Sequence, residues 1–123
     1  MVTVRYLVKD VEAAVRFYTE LLGFDLRQQF GPAMAVVTKD GLSLWLAGPA
    51  SSAAQPMPDA RKPEPGGWNR FVLQVEDLSS LVSNLQKKSV YFRNHVIKGP
   101  GGSQVLCEDP SGNVIELFQP LSE

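Results

Sequence analysis

Cysteine and histidine are almost missing from this chain: Cys107 and His95 stand alone among 123 residues. A single cysteine excludes an intramolecular disulfide and a thiolate metal cluster. A single histidine excludes an iron or manganese centre built on two histidines and a carboxylate. An excess of charge of either sign is missing too. Twelve Lys+Arg against thirteen Asp+Glu leave a net charge of −1, which provides no field for gathering nucleic acid or an anionic membrane surface. The apolar runs are strand-length, well short of the roughly 20 residues a membrane helix needs. No basic stretch followed by an apolar run opens the chain, so a soluble, unsecreted protein of the reducing cytoplasm is expected. The length suits one compact domain with a real core.

What is present is ordered punctuation. Met1 to Lys9 alternates, with Val2, Val4, Tyr6 and Val8 on one face and Thr3, Arg5 and Leu7 on the other, the period of a half-buried strand. Asp10 reads as a helix N-cap, and Val11, Ala14, Val15, Tyr18, Leu21 and Leu22 form a helical apolar stripe that Gly23 terminates. Strands follow near Asp25–Phe30, Ala33–Lys39 and Leu42–Ala47, separated by Gly31-Pro32 and Asp40-Gly41. From Gly48 to Gly67 five prolines and three glycines interrupt any period and mark a connector or mobile loop. The pattern then restarts. Trp68 to Glu76 alternates, Asp77 is a second N-cap, and Leu78, Leu81, Val82 and Leu85 carry a second helical stripe. Strands near Val90–Ile97, Ser103–Glu108 and Asn113–Gln119 complete the chain.

Placing Asp10 on Asp77 superposes Val4 on Phe71, Tyr6 on Leu73, Val11 on Leu78, Ala14 on Leu81 and Val15 on Val82. In the closing strands Gly41 falls on Gly112, Leu44 on Ile115, Trp45 on Glu116, Leu46 on Leu117 and Pro49 on Pro120. The chain therefore reads as two tandem βαβββ modules, an α+β fold, with module 1 over 1–48, a loop over 49–66 and module 2 over 67–120. With Val4, Tyr6, Leu44, Leu46, Leu73, Ile115 and Leu117 under the helices, the opposite sheet faces carry Thr3, Arg5, Trp45, Trp68, Arg70, Gln74, Glu116 and Phe118. Aromatic surface mixed with a few polar groups is the make-up of a small-molecule site, and an ordinary solvated sheet face is the plain alternative.

The stretches VRYLVKDVEAAVRFYTELLGF, RFVLQVEDLSSLV and DPSGNVIELFQP give the chain a resemblance to the vicinal oxygen chelate superfamily. That group includes glyoxalase I, type I extradiol dioxygenases, fosfomycin resistance proteins and bleomycin resistance proteins. The resemblance spans nearly the whole chain. It implies paired βαβββ units whose sheets curl round a cleft, and a homodimer. In metal-dependent members a divalent ion is held by a His or Gln early in the first strand of each half and by Glu on a last strand. Those positions are Thr3 and Arg70 in the first strands and Trp45 and Glu116 in the last. Only Glu116 retains a ligand of that kind. One carboxylate and a weak hydroxyl do not hold a catalytic divalent ion, which needs about three protein ligands. A guanidinium about 5 Å from a dication would repel it by on the order of 6 kcal/mol at an effective dielectric of 20. No metal and no other cofactor is therefore expected, and Glu116 is expected to face Arg70 in an ion pair, bidentate if the geometry allows.

Closest in character are the metal-free, bleomycin-resistance-like members, so the resemblance implies a protein that binds a small organic molecule, antibiotic-like or aromatic, without altering it. Trp45, Trp68 and Phe118 would supply stacking surface while Thr3, Arg5, Arg70, Gln74 and Glu116 orient polar groups. The loop over 49–66 would close over that ligand, pack on a neighbouring subunit, or act as a plain linker. The alternative is an enzyme of glyoxalase type, a lyase or isomerase, for which Glu116 is the single catalytic candidate; an adjacent arginine weakens a carboxylate as a general base. Extradiol dioxygenase chemistry is excluded by the lone histidine. Cys107 has no histidine beside it and reads as a small buried hydrophobe. A third possibility is a subunit whose cleft serves only association.

Overall fold

The computed structural model describes residues 1–121. They divide into two compact units, one of Met1–Gly66 with Pro110–Asn113, the other of Gly67–Asp109 with the segment from Val114 onward. Each contains a four-stranded sheet, and the two sheets have the same strand order. No helix among the described residues is long and apolar enough to cross a membrane.

In the first unit β1 (Val2–Leu7), β2 (Asp25–Phe30), β3 (Met34–Lys39) and β4 (Leu42–Ala47) are arranged β1-β4-β3-β2. β1 runs parallel to β4, and the other pairings are antiparallel. Between β1 and β2 lies α1 (Val11–Arg16), continued by a wider turn over Phe17–Leu21. Asp10 starts it as read from the sequence: its carboxylate accepts from the amides of Glu12 and Ala13 at 3.0 and 3.2 Å, satisfying two of the donors a helix start leaves open. The wide turn sits where Thr19 Oγ1 donates to the Val15 carbonyl at 2.7 Å, a side-chain bond that competes with the regular ladder. Gly23, at φ 77°, stops the helix in a conformation that costs a side chain dearly.

Alternation on β3 and β4 decides what the helix covers. Ala35 pairs with Leu46 and Val37 with Leu44, and all four are fully buried. Tyr18 is buried beside them, its ring edge-on to Phe17 at 5.0 Å and to Phe24 at 5.4 Å between centroids. Such pairs contribute beyond the area they bury.

The proline-rich segment belongs to this unit and is pinned rather than slack. Ser51 Oγ donates to the Gly48 carbonyl at 2.7 Å, Gln55 Nε2 to the Ser51 carbonyl at 3.0 Å, and the Met57 amide to the Arg61 carbonyl at 2.8 Å. At its far end Asn113 acts as a clasp. Its Oδ1 accepts from the Gly66 amide at 2.8 Å while its Nδ2 donates to the Leu7 carbonyl at 2.7 Å.

In the second unit β5 (Val72–Gln74), β6 (Ile97–Gly99), β7 (Gly102–Glu108) and β8 (Val114–Pro120) repeat the order as β5-β8-β7-β6, with α2 (Leu78–Lys87) between β5 and β6. β5 is parallel to β8. Leu73, Val105, Cys107, Ile115 and Leu117 face the helix and are buried. Two expected strands are shorter than the alternation suggested. Of Trp68–Glu76 only Val72–Gln74 forms a ladder with β8. Of Val90–Ile97 only Phe92 bridges to Cys107 before pairing fails. The reason lies in Asn94, whose side chain accepts the Leu106 amide at 2.9 Å in place of a backbone partner. Pairing resumes at Ile97.

Candidate functional site

The helix-free face of each sheet carries the residues singled out from the sequence. In the first unit the register opposes Thr3 to Ser43 and Arg5 to Trp45, while Val36 and Thr38 on β3 lie beside Trp45 and Ser43. Arg5 holds its guanidinium carbon 5.0 Å from the centre of the Trp45 ring. Thr3 and Arg5 are exposed and Trp45 is half-buried. A cation on an indole face at such a site contributes about 0.5–1 kcal/mol.

In the second unit the same face is built around charge pairs. Glu116 lies opposite Val72 on β5 and Leu106 on β7. Arg70 reaches it from the segment before β5: Nε and Nη2 donate at 3.1 and 3.0 Å, both to Oε1. The remaining donor arm, Nη1, goes to the Trp68 carbonyl at 3.3 Å. The ion pair expected from the sequence therefore forms, but both nitrogens converge on one oxygen rather than engaging the two in parallel. Oε2 of Glu116 has no hydrogen-bond partner among the described residues and is not sealed from the surface. It remains an available acceptor. The side chains are 29% (Arg70) and 12% (Glu116) exposed, so the carboxylate is largely buried while the guanidinium keeps partial access to water.

A second pair was not anticipated. Arg93 Nε donates to Glu108 Oε2 at 2.8 Å and Nη1 to the Gly67 carbonyl at 2.7 Å. The guanidinium also lies over the Trp68 ring, 4.5 Å from its centre. Trp68 is thus held by Arg93 at its ring and by Arg70 at its carbonyl, yet stays 67% exposed. Glu108 was legible in principle. It faces Val114 across the ladder, two steps from the Leu106–Glu116 pairing, and so shares the face of Glu116 by simple alternation. Arg93 had no such signal, because it lies where the expected strand breaks. Gln74 opposes Phe118 on this face, exposed against half-buried.

These side chains do not suit a divalent metal. Thr3 and Trp45 offer one hydroxyl and an indole, and Arg70 spends two donors on the one carboxylate of its set. No group of three or more His, Cys, Asp or Glu among the described residues could hold an ion. Cys107 does not supply a nucleophile. Burial above all, then the neighbouring Asp109 and Glu108 charges, pushes its thiol up to about 12, which suppresses the reactive thiolate.

The model of the Glyoxalase/Bleomycin resistance protein/Dioxygenase superfamily matches residues 1–117. Among solved structures, TnmS3, an antibiotic binding protein from Streptomyces sp. CB03234, is 31% identical with a TM-score of 0.74, over 98% of this chain and 96% of that one. A glyoxalase/bleomycin resistance/dioxygenase superfamily member from Sphaerobacter thermophilus DSM 20745 is 25% identical, with a TM-score of 0.76, over 97% and 95%. A lactoylglutathione lyase from Agrobacterium tumefaciens shares the fold at 18% identity, with a TM-score of 0.73, over 97% and 92%. No curated protein sequence matches the chain.

Proposed function

The chain belongs to the Glyoxalase/Bleomycin resistance protein/Dioxygenase superfamily, and from that premise we propose that it binds a small organic molecule, aromatic or antibiotic-like, without a metal ion. The observation that carries this reading is the use of Arg70. Its guanidinium stands beside the one carboxylate at the positions where metal-dependent relatives place ligands, and both of its contacts fall on Oε1. Oε2 is left to accept from a ligand N–H or O–H. The Trp68 ring, gripped by Arg93 and largely exposed, offers a flat surface for a ring to stack on. Phe118 and Gln74 extend that face, and Thr3, Arg5 and Trp45 give the first unit a similar mixture. The 31% identity to an antibiotic binding protein supports a bound, unaltered ligand over a reacting one. So does the ion pair itself, since a carboxylate occupied by a guanidinium is a poor general base. We propose also that the protein is a cytoplasmic homodimer, as the family resemblance and the lone buried thiol suggest.

The test is a thermal-shift screen of aromatic and glycopeptide-like compounds, followed by calorimetry on the hits. A ligand at 100 times its Kd adds about 2.7 kcal/mol of stability. Trp68→Ala should weaken binding at least about tenfold, equivalent to about 1.4 kcal/mol. Its melting point should change little, because the ring is mostly in solvent. Stoichiometric zinc, nickel or manganese in protein purified without chelator, or hits that bind Trp68→Ala unchanged, would defeat the proposal.

A further inference from the structure

The helix side of the second unit has an opening of its own. An open groove of about 610 Å³ lies along α2, lined by Leu78, Val82 and Val96 together with Ser83, Lys98, Ser103 and Gln119. Its volume falls within the range of small-molecule sites.

The repeat explains why there is room. By the register that places Pro49 on Pro120, Gly48 at the end of β4 corresponds to Gln119 on β8. In the first unit a Cβ on Gly48 would lie 2.7 Å from Val11 Cγ2, so the absence of a side chain lets the start of α1 close onto the sheet. In the second unit Gln119 has a full side chain there, and its Oε1 accepts from the Leu78 amide at 2.7 Å. The helix start is held at the length of a glutamine. The flanking positions differ as well. Where α1 carries Glu12 and Arg16, α2 carries Ser79 and Ser83, and nine consecutive residues from Leu78 to Gln86 have no charge. At these positions the flank of α2 presents short serine side chains to the groove in place of long charged ones.

We propose that this groove is a second binding site, specific for a small organic carboxylate with an apolar body. Leu78, Val82 and Val96 take the apolar part. No Asp or Glu lines the groove, and Lys98 is its one charged lining residue. Lys98 has no ion-pair partner among the described residues. The hydroxyls of Ser83 and Ser103 donate to a carboxylate that pairs with it. An acid is thereby favoured over an amine or a neutral chain. The site is separate from the sheet faces of the proposed function, since neither Trp45 nor Trp68 borders it.

Octanoate serves as the probe, titrated into the full-length 15N-labelled protein while amide shifts are followed. Saturable shifts should centre on residues 78–86, 96–103 and 119. Octanol, with the same chain and no charge, should bind at least tenfold more weakly. Lys98→Glu should weaken octanoate by at least tenfold, and Ser83→Trp should block it; both substitutions fall on exposed residues, where folding is tolerant. The double variant Trp45→Ala, Trp68→Ala should bind octanoate like the wild type, so failure of the sheet-face reading leaves this one standing. Shifts that do not saturate, that centre on Trp68, or that survive both Lys98→Glu and Ser83→Trp overturn the proposal.

Discussion

Two sheets with one strand order use an arginine on the same face in different ways. In the first unit Arg5 lies across Trp45, exposed and without a carboxylate partner among the described residues. In the second, Arg70 is drawn down onto Glu116 and Arg93 onto Glu108, with Trp68 held at ring and carbonyl. Two differences set this: the repeat places Arg5 on Val72 and Arg70 on Thr3, so each unit carries its arginine at a different point relative to the first strand, and it places Trp45 and Glu116 at equivalent positions. An indole there gives an arginine a surface to lie on; a carboxylate gives it an anion to satisfy. A duplicated framework thus holds one loose aromatic face and one fixed by charge.

The sharpest way to break that comparison is to remove each arginine. Arg70→Ala strands a carboxylate whose side chain is only 12% exposed, and it should cost about 3 kcal/mol, the lower end for a broken buried pair because Arg70 is itself partly exposed. Arg5→Ala removes an exposed cation from an indole and should cost less than about 1 kcal/mol. Glu116→Ala should fall between them, since the long Arg70 side chain can turn its charge to water. Urea unfolding of the three variants measures the order. Equal losses for Arg70→Ala and Arg5→Ala would mean that the two faces are held alike.

The helix sides differ through Gly48 and Gln119. Gly48→Ala places a methyl group 2.7 Å from Val11 Cγ2 and 2.9 Å from the Pro32 carbonyl oxygen, so it should destabilise by about 2 kcal/mol through overpacking. Gln119→Ala loses the acceptor of a part-buried bond to the Leu78 amide, and about 1 kcal/mol is expected. Thermal unfolding of the two variants compares them. The opposite ranking would show that the close approach of α1 has slack.

How much of this was legible varied along the chain for physical reasons. Asp10 and Asp77 start their helices as read, because a side-chain acceptor at a helix start acts locally. β2 and β4 occupy the spans expected, where alternation and a glycine-containing turn agree. The Arg70–Glu116 pair was visible because alternation put both on one sheet face and the ligand positions of the resembled superfamily fall on them. Strand length in the second unit was not visible, since the loss of pairing after Phe92 depends on Asn94 reaching the Leu106 amide, a contact between residues twelve apart. Arg93 was hidden by the same break. The proline-rich segment looked slack from composition, but local bonds from Ser51, Gln55 and Met57 brace it, and its far end is held by Asn113, which lies in another motif nearly fifty residues away. Composition reports the freedom of a segment when nothing holds it, and carries no record of a distant clasp.

The smallest expected effect is a pH dependence at the start of α2. Asp77 accepts from the Ser80 amide at 3.1 Å and from Ser80 Oγ at 2.8 Å, and these bonds, the amide first, hold its carboxyl below the ordinary 3.8. A carboxyl with a lowered value in the folded state binds fewer protons there than in the unfolded chain as the medium becomes acid. Its stabilisation is therefore complete above about pH 5 and lost as pH falls through the folded-state value, below about pH 4. Asp77→Asn keeps an oxygen for the Ser80 amide and removes the titration. Its melting temperature should thus fall less steeply than that of the wild type below about pH 4, and run parallel to it above about pH 5. All other acids titrate in both proteins and cancel in the difference, so the curve isolates this cap. Parallel wild-type and Asp77→Asn curves through the whole acid range would mean that the bonds from Ser80 do not favour the ionised carboxylate in the folded state.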